Sequence, residues 1–203
     1  MSELKIMHDY VGTRMLELDT ATIKKSCYLM KDTIEKNFID DKHYYDDVSA
    51  PVTSNVFMSY NLLMYPFDGF HDLFVEINRS FHAMRIHQKV EHTKFYIQCW
   101  LNVFKENQFL SWHKHWEPEL DAWHGFYCVQ VGESSTAYIL KDKTELTVQS
   151  QDNLLVLSKS DGDIHRSSPW VRSDMDRITI AFDILPDYAF KKTPIQINHW
   201  IPI

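Results

Sequence analysis

Glycine is scarce in this chain. There are five among 203 residues, at positions 12, 69, 125, 132 and 162. No spacing among them makes GxGxxG or a phosphate-cradling P-loop, which argues against dinucleotide and P-loop nucleotide folds. The GxSxG elbow of acyl transfer and the HExxH helix of zinc proteases are missing as well. Cys27, Cys99 and Cys128 are widely spaced, odd in number and form no CxxC. That usage fits buried thiols in a reducing compartment. No apolar run is long enough to cross a bilayer, and the opening MSELKIMHDYVG lacks the apolar segment of a signal peptide. A cytoplasmic protein is the expectation. Basic blocks are absent too, and the formal charge is −7, which argues against a nucleic-acid partner.

What is present points to a folded domain. Hydrophobic residues make up 44% and aromatic residues 14% of the chain, enough for a sizeable core in one domain. Residues 19–38 read as a helix capped by Asp19 or Thr20, with Ile23, Cys27, Met30, Ile34 and Phe38 on one face. Residues 39–66 read as irregular. A second helix fits 68–87, with Asp68 as its cap and Phe70, Leu73, Phe74, Ile77, Phe81 and Met84 as its apolar stripe; His71 and His82 fall off that stripe. After Lys94 the texture changes to short β-type runs at 94–104, 123–131, 135–140, 144–149, 153–158 and 177–185. Helices followed by strands imply an α+β fold, or a jelly roll backed by helices. The expected layout is one domain over 1–203, with a helical part at 1–93, a β core at 94–186 and an extended arm at 187–203. That arm, KKTPIQINHWIPI, is a candidate for docking or for homodimer contact.

The chemistry gathers in LSWHKHWEPELDAWHGFYCV (110–129). His113 and His115 are two apart, so on a strand they share a face and can chelate one metal. Two histidines at that spacing are also common on wet loops. His165, arriving from a later strand, turns the pair into a facial set with open positions, a geometry suited to non-haem Fe(II). Arg177 and Thr179 share one face of DRITIAFDI, opposite Ile178, Ile180, Phe182 and Ile184. An inward guanidinium with a hydroxyl two residues on can clamp a carboxylate; Asp183, on the same face, is its rival partner. Tyr96, Gln98, Trp100 and Asn102 share a mixed polar and aromatic face, and Tyr96 or Asn102 could contact a bound cosubstrate. Glu117, Glu119 and Asp121 are further carboxylates within reach by sequence. His124 reads as structural or as support for a ligand, and Cys128 as inert core.

Taken in order, Trp-Leu-Asn (100–102), His113-x-His115, Gly-Phe-Tyr (125–127), DNLLVLSKSDGDIH and RITIAFDI resemble the Fe(II)- and 2-oxoglutarate-dependent oxygenases. The resemblance is strongest to a subgroup whose motif reads His-x-His-Pro, and it spans about residues 95–186. It implies a double-stranded β-helix (jelly-roll) core with supporting helices. It also implies that His113 and His165 are ligands, that Arg177 with Thr179 binds the far carboxylate of 2-oxoglutarate, and that a small-molecule or peptide C–H bond is hydroxylated. His115 stands where most of that family has Asp or Glu, giving a three-histidine site. A second resemblance, to cupins, runs through His113-x-His115, Glu119, Gly125 and Gly162-x2-His165; it makes Glu119 the carboxylate ligand and needs no cosubstrate. A third reading is a non-catalytic jelly-roll binding module.

Overall fold

The computed structural model describes residues 3–40, 49–90, 94–161, 163–194 and 197–203. Gly162, part of the cupin-like motif, and a portion of the segment read as irregular lie outside the described residues.

Two antiparallel sheets build the core. Strands are β1 (Lys5–His8), β2 (Val11–Met15), β3 (Phe95–Phe104), β4 (Trp123–Gln130), β5 (Ser135–Ile139), β6 (Glu145–Gln149), β7 (Leu154–Lys159), β8 (Ile164–Ser167), β9 (Arg177–Pro186) and β10 (Ile201–Pro202). The larger sheet runs β1-β2-β7-β4-β9-β3-β10 and the smaller β6-β5-β8. A lone bridge between His113 and His165 adds one more rung beside β8. This is a double-stranded β-helix with helices on one side.

The helices follow from their apolar stripes. Helix α1 (Thr20–Asn37) is capped by Asp19, whose carboxylate accepts from the amides of Ala21 and Thr22, and it buries Ile23, Cys27, Met30 and Ile34. A short helix, α2, covers Val52–Asn55. Helix α3 (Phe70–His87) buries Phe70, Leu73, Ile77, Phe81 and Met84. These side chains merge into one core with Ile178, Ile180, Phe182 and Ile184 of β9 and with Ile97, Cys99, Leu101 and Val103 of β3. Every residue of β9 is buried, because one face meets the helices and the other meets the space between the sheets. Part of that space is filled by Cys128, Leu154 and Val156 from the large sheet against Tyr138 and Val148 from the small one.

Several expectations need correction. Asp68 does not cap α3: Gly69 is the cap, at φ +84°, a left-handed geometry that suits glycine. Asp68 instead offers its carbonyl to the Ser26 hydroxyl. The part read as helical also contains β1 and β2. Their pattern is hard to see because β2 includes a glycine and buries Arg14, which is paired with Glu76 and bonded to Ser80. Strand β8, only four residues long, is absent from the strands expected from sequence. The C-terminal arm is not wholly extended: Ala189–Lys192 form a helical turn, α4. Beyond it Trp200 packs with Leu185 and Ala189, and Ile201 pairs with Ile97, so the arm docks on its own domain.

Candidate active site

The backbone brings the histidines together. The amide of His113 donates to the His165 carbonyl at 3.0 Å, and the amide of His165 donates back at 2.9 Å. Residues exchanging both bonds in an antiparallel pair project their side chains to the same face. The two rings accordingly lie 4.3 Å apart. His115, two residues on, returns to that face, 5.4 Å from His113 and 5.1 Å from His165. Each of the three offers a nitrogen, and these atoms lie within 4.8 Å of one another. A fourth imidazole comes from the opposite sheet. His124 on β4 stacks on His115 at 4.5 Å and on His165 at 4.6 Å.

Hydrogen bonds fix which nitrogens are free. His113 Nδ1 lies 2.7 Å from the Ser111 carbonyl, which can only accept, so Nδ1 holds the proton and Nε2 carries the lone pair. His115 Nδ1 lies 2.6 Å from Asp183 Oδ1, and the same argument frees its Nε2. The other oxygen of Asp183 accepts from Trp116 Nε1 at 2.8 Å. A ring nitrogen held by a carboxylate orients a ligand histidine and raises its basicity.

Electrostatics differ among the rings. Burial pushes His113 down to about 4, against the pull of its Ser111 bond. Burial also pulls His115 down, but the charge and hydrogen bond of Asp183 outweigh it, and the net shift is upward. His124 is lowered by burial and then by the neighbouring His115. His165 is lowered strongly, by burial first and by the other three rings as well, against its neighbour Asp163. Neutral imidazoles are the form a metal requires.

The cavity lined by these rings also holds Trp100, Phe104, Phe126, Thr179, Ala181 and Arg177, and encloses about 500 Å³ including its open side. Arg177 is 2% exposed. Its guanidinium lies over the Phe104 ring at 4.8 Å, one Nη donates to the Ser168 carbonyl at 3.3 Å, and Nε has no partner. Among the described residues no carboxylate pairs with it; Asp183, its rival by sequence, is engaged by His115 and Trp116. Thr179 Oγ1 accepts from the Asn102 amide at 3.3 Å, and Asn102 Oδ1 accepts from Ser54 at 2.6 Å.

Other candidates lie elsewhere. Tyr96 shares its strand face with Trp100 and Asn102 but sits beyond the cavity, against Phe190 at 5.4 Å. Glu117 pairs with Lys114 at the surface, Glu119 is exposed in a 3-10 turn, and Asp121 pairs with Lys159. None of the three joins the histidines, so the cupin-like ligand set does not assemble. Cys128 is buried and its thiol is pushed up to about 12, by burial first, which leaves it inert. Sequence reasoning misses the roles of two carboxylates in the cluster. Asp183 partners His115 rather than Arg177; its alternation with Arg177 and Thr179 places it on the cavity face but does not say which neighbour it meets. Asp163 has its Oδ2 3.3 Å from His124 Nε2, and its i, i+2 spacing from His165 is the only local sign of it.

No protein-family model matches the sequence, and no curated protein matches it. The fold does match solved structures. A prolyl-4-hydroxylase from Pseudomonas putida aligns at a TM-score of 0.57 and 10% identity, over 87% of this chain and 85% of that one. AviO1 from Streptomyces viridochromogenes Tue57 aligns at 0.60 and 14%, over 87% and 90%. SnoK, a non-haem α-ketoglutarate-dependent carbocyclase from nogalamycin biosynthesis, aligns at 0.56 and 7%, over 87% of this chain and 79% of that one. At such identities the likeness defines a shared jelly-roll fold over most of each chain.

Proposed function

We propose that this chain is a non-haem Fe(II)- and 2-oxoglutarate-dependent oxygenase that hydroxylates a small-molecule or peptide substrate. One observation carries the reading: a single cavity holds a metal-sized cluster of imidazoles and a buried arginine that no carboxylate of the described residues neutralises. A buried unpaired charge costs several kcal/mol, so Arg177 awaits an anion from outside the chain. SnoK, which aligns over most of this chain, is an α-ketoglutarate-dependent enzyme, and that supports the same reading.

His113, His115 and His165 fit iron. The lone pairs of His113 and His115 are directed by Ser111 and Asp183, and three protein ligands leave positions open for cosubstrate and oxygen. Iron and its cosubstrate would supply the oxidising power for attack on a C–H bond. The chain's own part is placement. Arg177 would take the far carboxylate in a bidentate fork. Because Thr179 Oγ1 accepts from Asn102, its hydroxyl proton is free to donate to the same carboxylate. Trp100, Phe126 and Leu110 line the cavity and would exclude water from it. With no carboxylate among the three ligands, Asp183 supplies compensating negative charge one hydrogen bond away.

Among the described residues no helix is long and apolar enough to cross a membrane. The free, buried cysteines support a reducing, cytoplasmic location. The reading is tested by supplying the iron-loaded protein with 2-oxoglutarate and oxygen and measuring succinate. Slow turnover without added substrate is expected, sharply reduced in Arg177→Met. An absence of any 2-oxoglutarate consumption or binding would return the choice to a cosubstrate-free dioxygenase.

A further inference from the structure

Beside the outer set lies a second cluster that shares only His165 with the oxygenase reading. It comprises His124 from β4, Asp163 just before β8 and His165 within it, all three buried. Asp163 Oδ2 lies 3.3 Å from His124 Nε2 and 3.8 Å from His165 Nδ1. The donor atoms of the three residues all fall within 4.8 Å of one another. Nitrogen and oxygen ligands held tetrahedrally at zinc distances stand about 3.3–3.6 Å apart, so two of the three edges are near that spacing.

A hydrogen-bonded triad would account for the Asp163–His124 contact alone. It does not account for three orphaned groups around it. His165 Nδ1 has no hydrogen-bond partner although the residue is only 7% exposed. The hydroxyls of Tyr138 and Ser158 are also buried without a partner. Tyr138 stands opposite His165 in the register of β5 and β8, and their rings are 5.2 Å apart. Ser158 stands opposite His124 in the register of β4 and β7. Buried donors and acceptors are rarely left unmet, and here they surround two imidazoles and a carboxylate.

We propose that His124, Asp163 and His165 form a second, inner metal position, suited to a tetrahedral divalent ion of the zinc type. His124 would bind through Nε2 and carry its proton on Nδ1, so no net proton need leave that ring. The fourth ligand would be a water or the Tyr138 phenol. His165 belongs to both sets. Serving both ions at once would require both of its ring nitrogens to be deprotonated, so the inner and outer positions are alternatives. A zinc-type ion in the inner position therefore withdraws His165 from the outer one. The inference goes beyond the oxygenase reading and needs no cosubstrate.

Cobalt(II) is the probe, because its four-coordinate complexes absorb visible light far more strongly than six-coordinate ones. The His113→Ala/His115→Ala chain, stripped of the outer set, is expected to bind one cobalt per chain with the intense four-coordinate spectrum. Adding Asp163→Asn should weaken that binding by more than the roughly 10- to 100-fold that loss of an outer-shell partner costs. No cobalt binding by the double variant, or no effect of Asp163→Asn within it, overturns the proposal. Should the double variant lose its thermal transition, Asp163→Cys in the otherwise unaltered chain decides. A thiolate-to-cobalt charge-transfer band absent from the parent supports the inner position, and a spectrum like the parent's refutes it. Because the first variant lacks His113 and His115, failure here leaves the oxygenase reading standing, and the reverse also holds.

Discussion

Replacing Arg177 with methionine should make the ligand-free protein more stable and the ligand-binding protein nearly useless. Burial pushes the guanidinium from its ordinary 12.5 down to about 10. At about 1.36 kcal/mol per factor of ten, burial costs the folded state roughly 3 kcal/mol. The sign follows from protonation: below pH 10 the group is charged both folded and unfolded, so the full cost is present at neutral pH. It fades only as pH rises from about 10 to 12.5. Methionine removes that cost but forfeits the Ser168 bond and the stack on Phe104, each worth about 1 kcal/mol. The balance is a gain of about 1–2 kcal/mol. For a chain of this size that raises the melting temperature by about 2–8 °C. With 2-oxoglutarate the order reverses. Truncating one partner of a buried charge pair costs about 2–5 kcal/mol, which weakens binding by about 30- to 5,000-fold. Differential scanning fluorimetry of metal-loaded protein, with and without 2-oxoglutarate under anaerobic conditions, reads both effects. If Arg177→Met melts below the parent without ligand, the guanidinium is already satisfied within the fold and the argument for a missing anion fails.

His165→Ala, which removes a member of every ligand set, is expected to abolish Fe(II) binding by calorimetry while circular dichroism stays that of the parent; unaltered affinity would contradict the site. His115→Ala should weaken Fe(II) by at least about 100-fold, the upper end of the cost of losing even an outer-shell partner, whereas Glu119→Ala should leave it unchanged. Metal lost only in the Glu119 variant would restore the cupin-like arrangement. Asp183→Asn should cost roughly 10- to 100-fold in Fe(II) affinity because His115 Nδ1 then lacks its charged partner. Affinity within about threefold of the parent would mean that Asp183 only shapes the fold.

Much of the architecture is legible in the sequence because it rests on periodicity. Strand β9 alternates Arg177, Thr179, Ala181 and Asp183 with Ile178, Ile180, Phe182 and Ile184, and that alternation alone separates the cavity face from the helix face. Helix α1 is readable for the same reason, with a capping Asp19 before a clean apolar stripe. What escapes is short or irregular. Strands β1, β8 and β10 have four, four and two residues, too few for a pattern to rise above chance. The α3 cap misleads because Asp68 and Gly69 are both plausible caps, and only the backbone angle decides between them. In the site, only the i, i+2 pair His113 and His115 is visible as spacing; His165 is about fifty residues away in sequence and meets them through the backbone bridge to His113. The partnership of His124 with Asp163 is not visible either, because it crosses from one sheet to the other and leaves no local spacing to read. Tyr96 fails for a different reason. Phase gives its face correctly, but phase says nothing of how far along a ten-residue strand the cavity extends.

The central claim is that one cavity binds Fe(II) and 2-oxoglutarate together. It is tested most directly by visible absorption of the anaerobic Fe(II) protein as 2-oxoglutarate is added. Bidentate chelation of ferrous iron by an α-keto acid produces a metal-to-ligand charge-transfer band. The account predicts that the band appears at sub-millimolar 2-oxoglutarate, is absent in His165→Ala, and needs at least about 30-fold more ligand in Arg177→Met. A parent protein that binds Fe(II) yet shows no band at millimolar 2-oxoglutarate, an affinity weaker than about −4 kcal/mol, would contradict it.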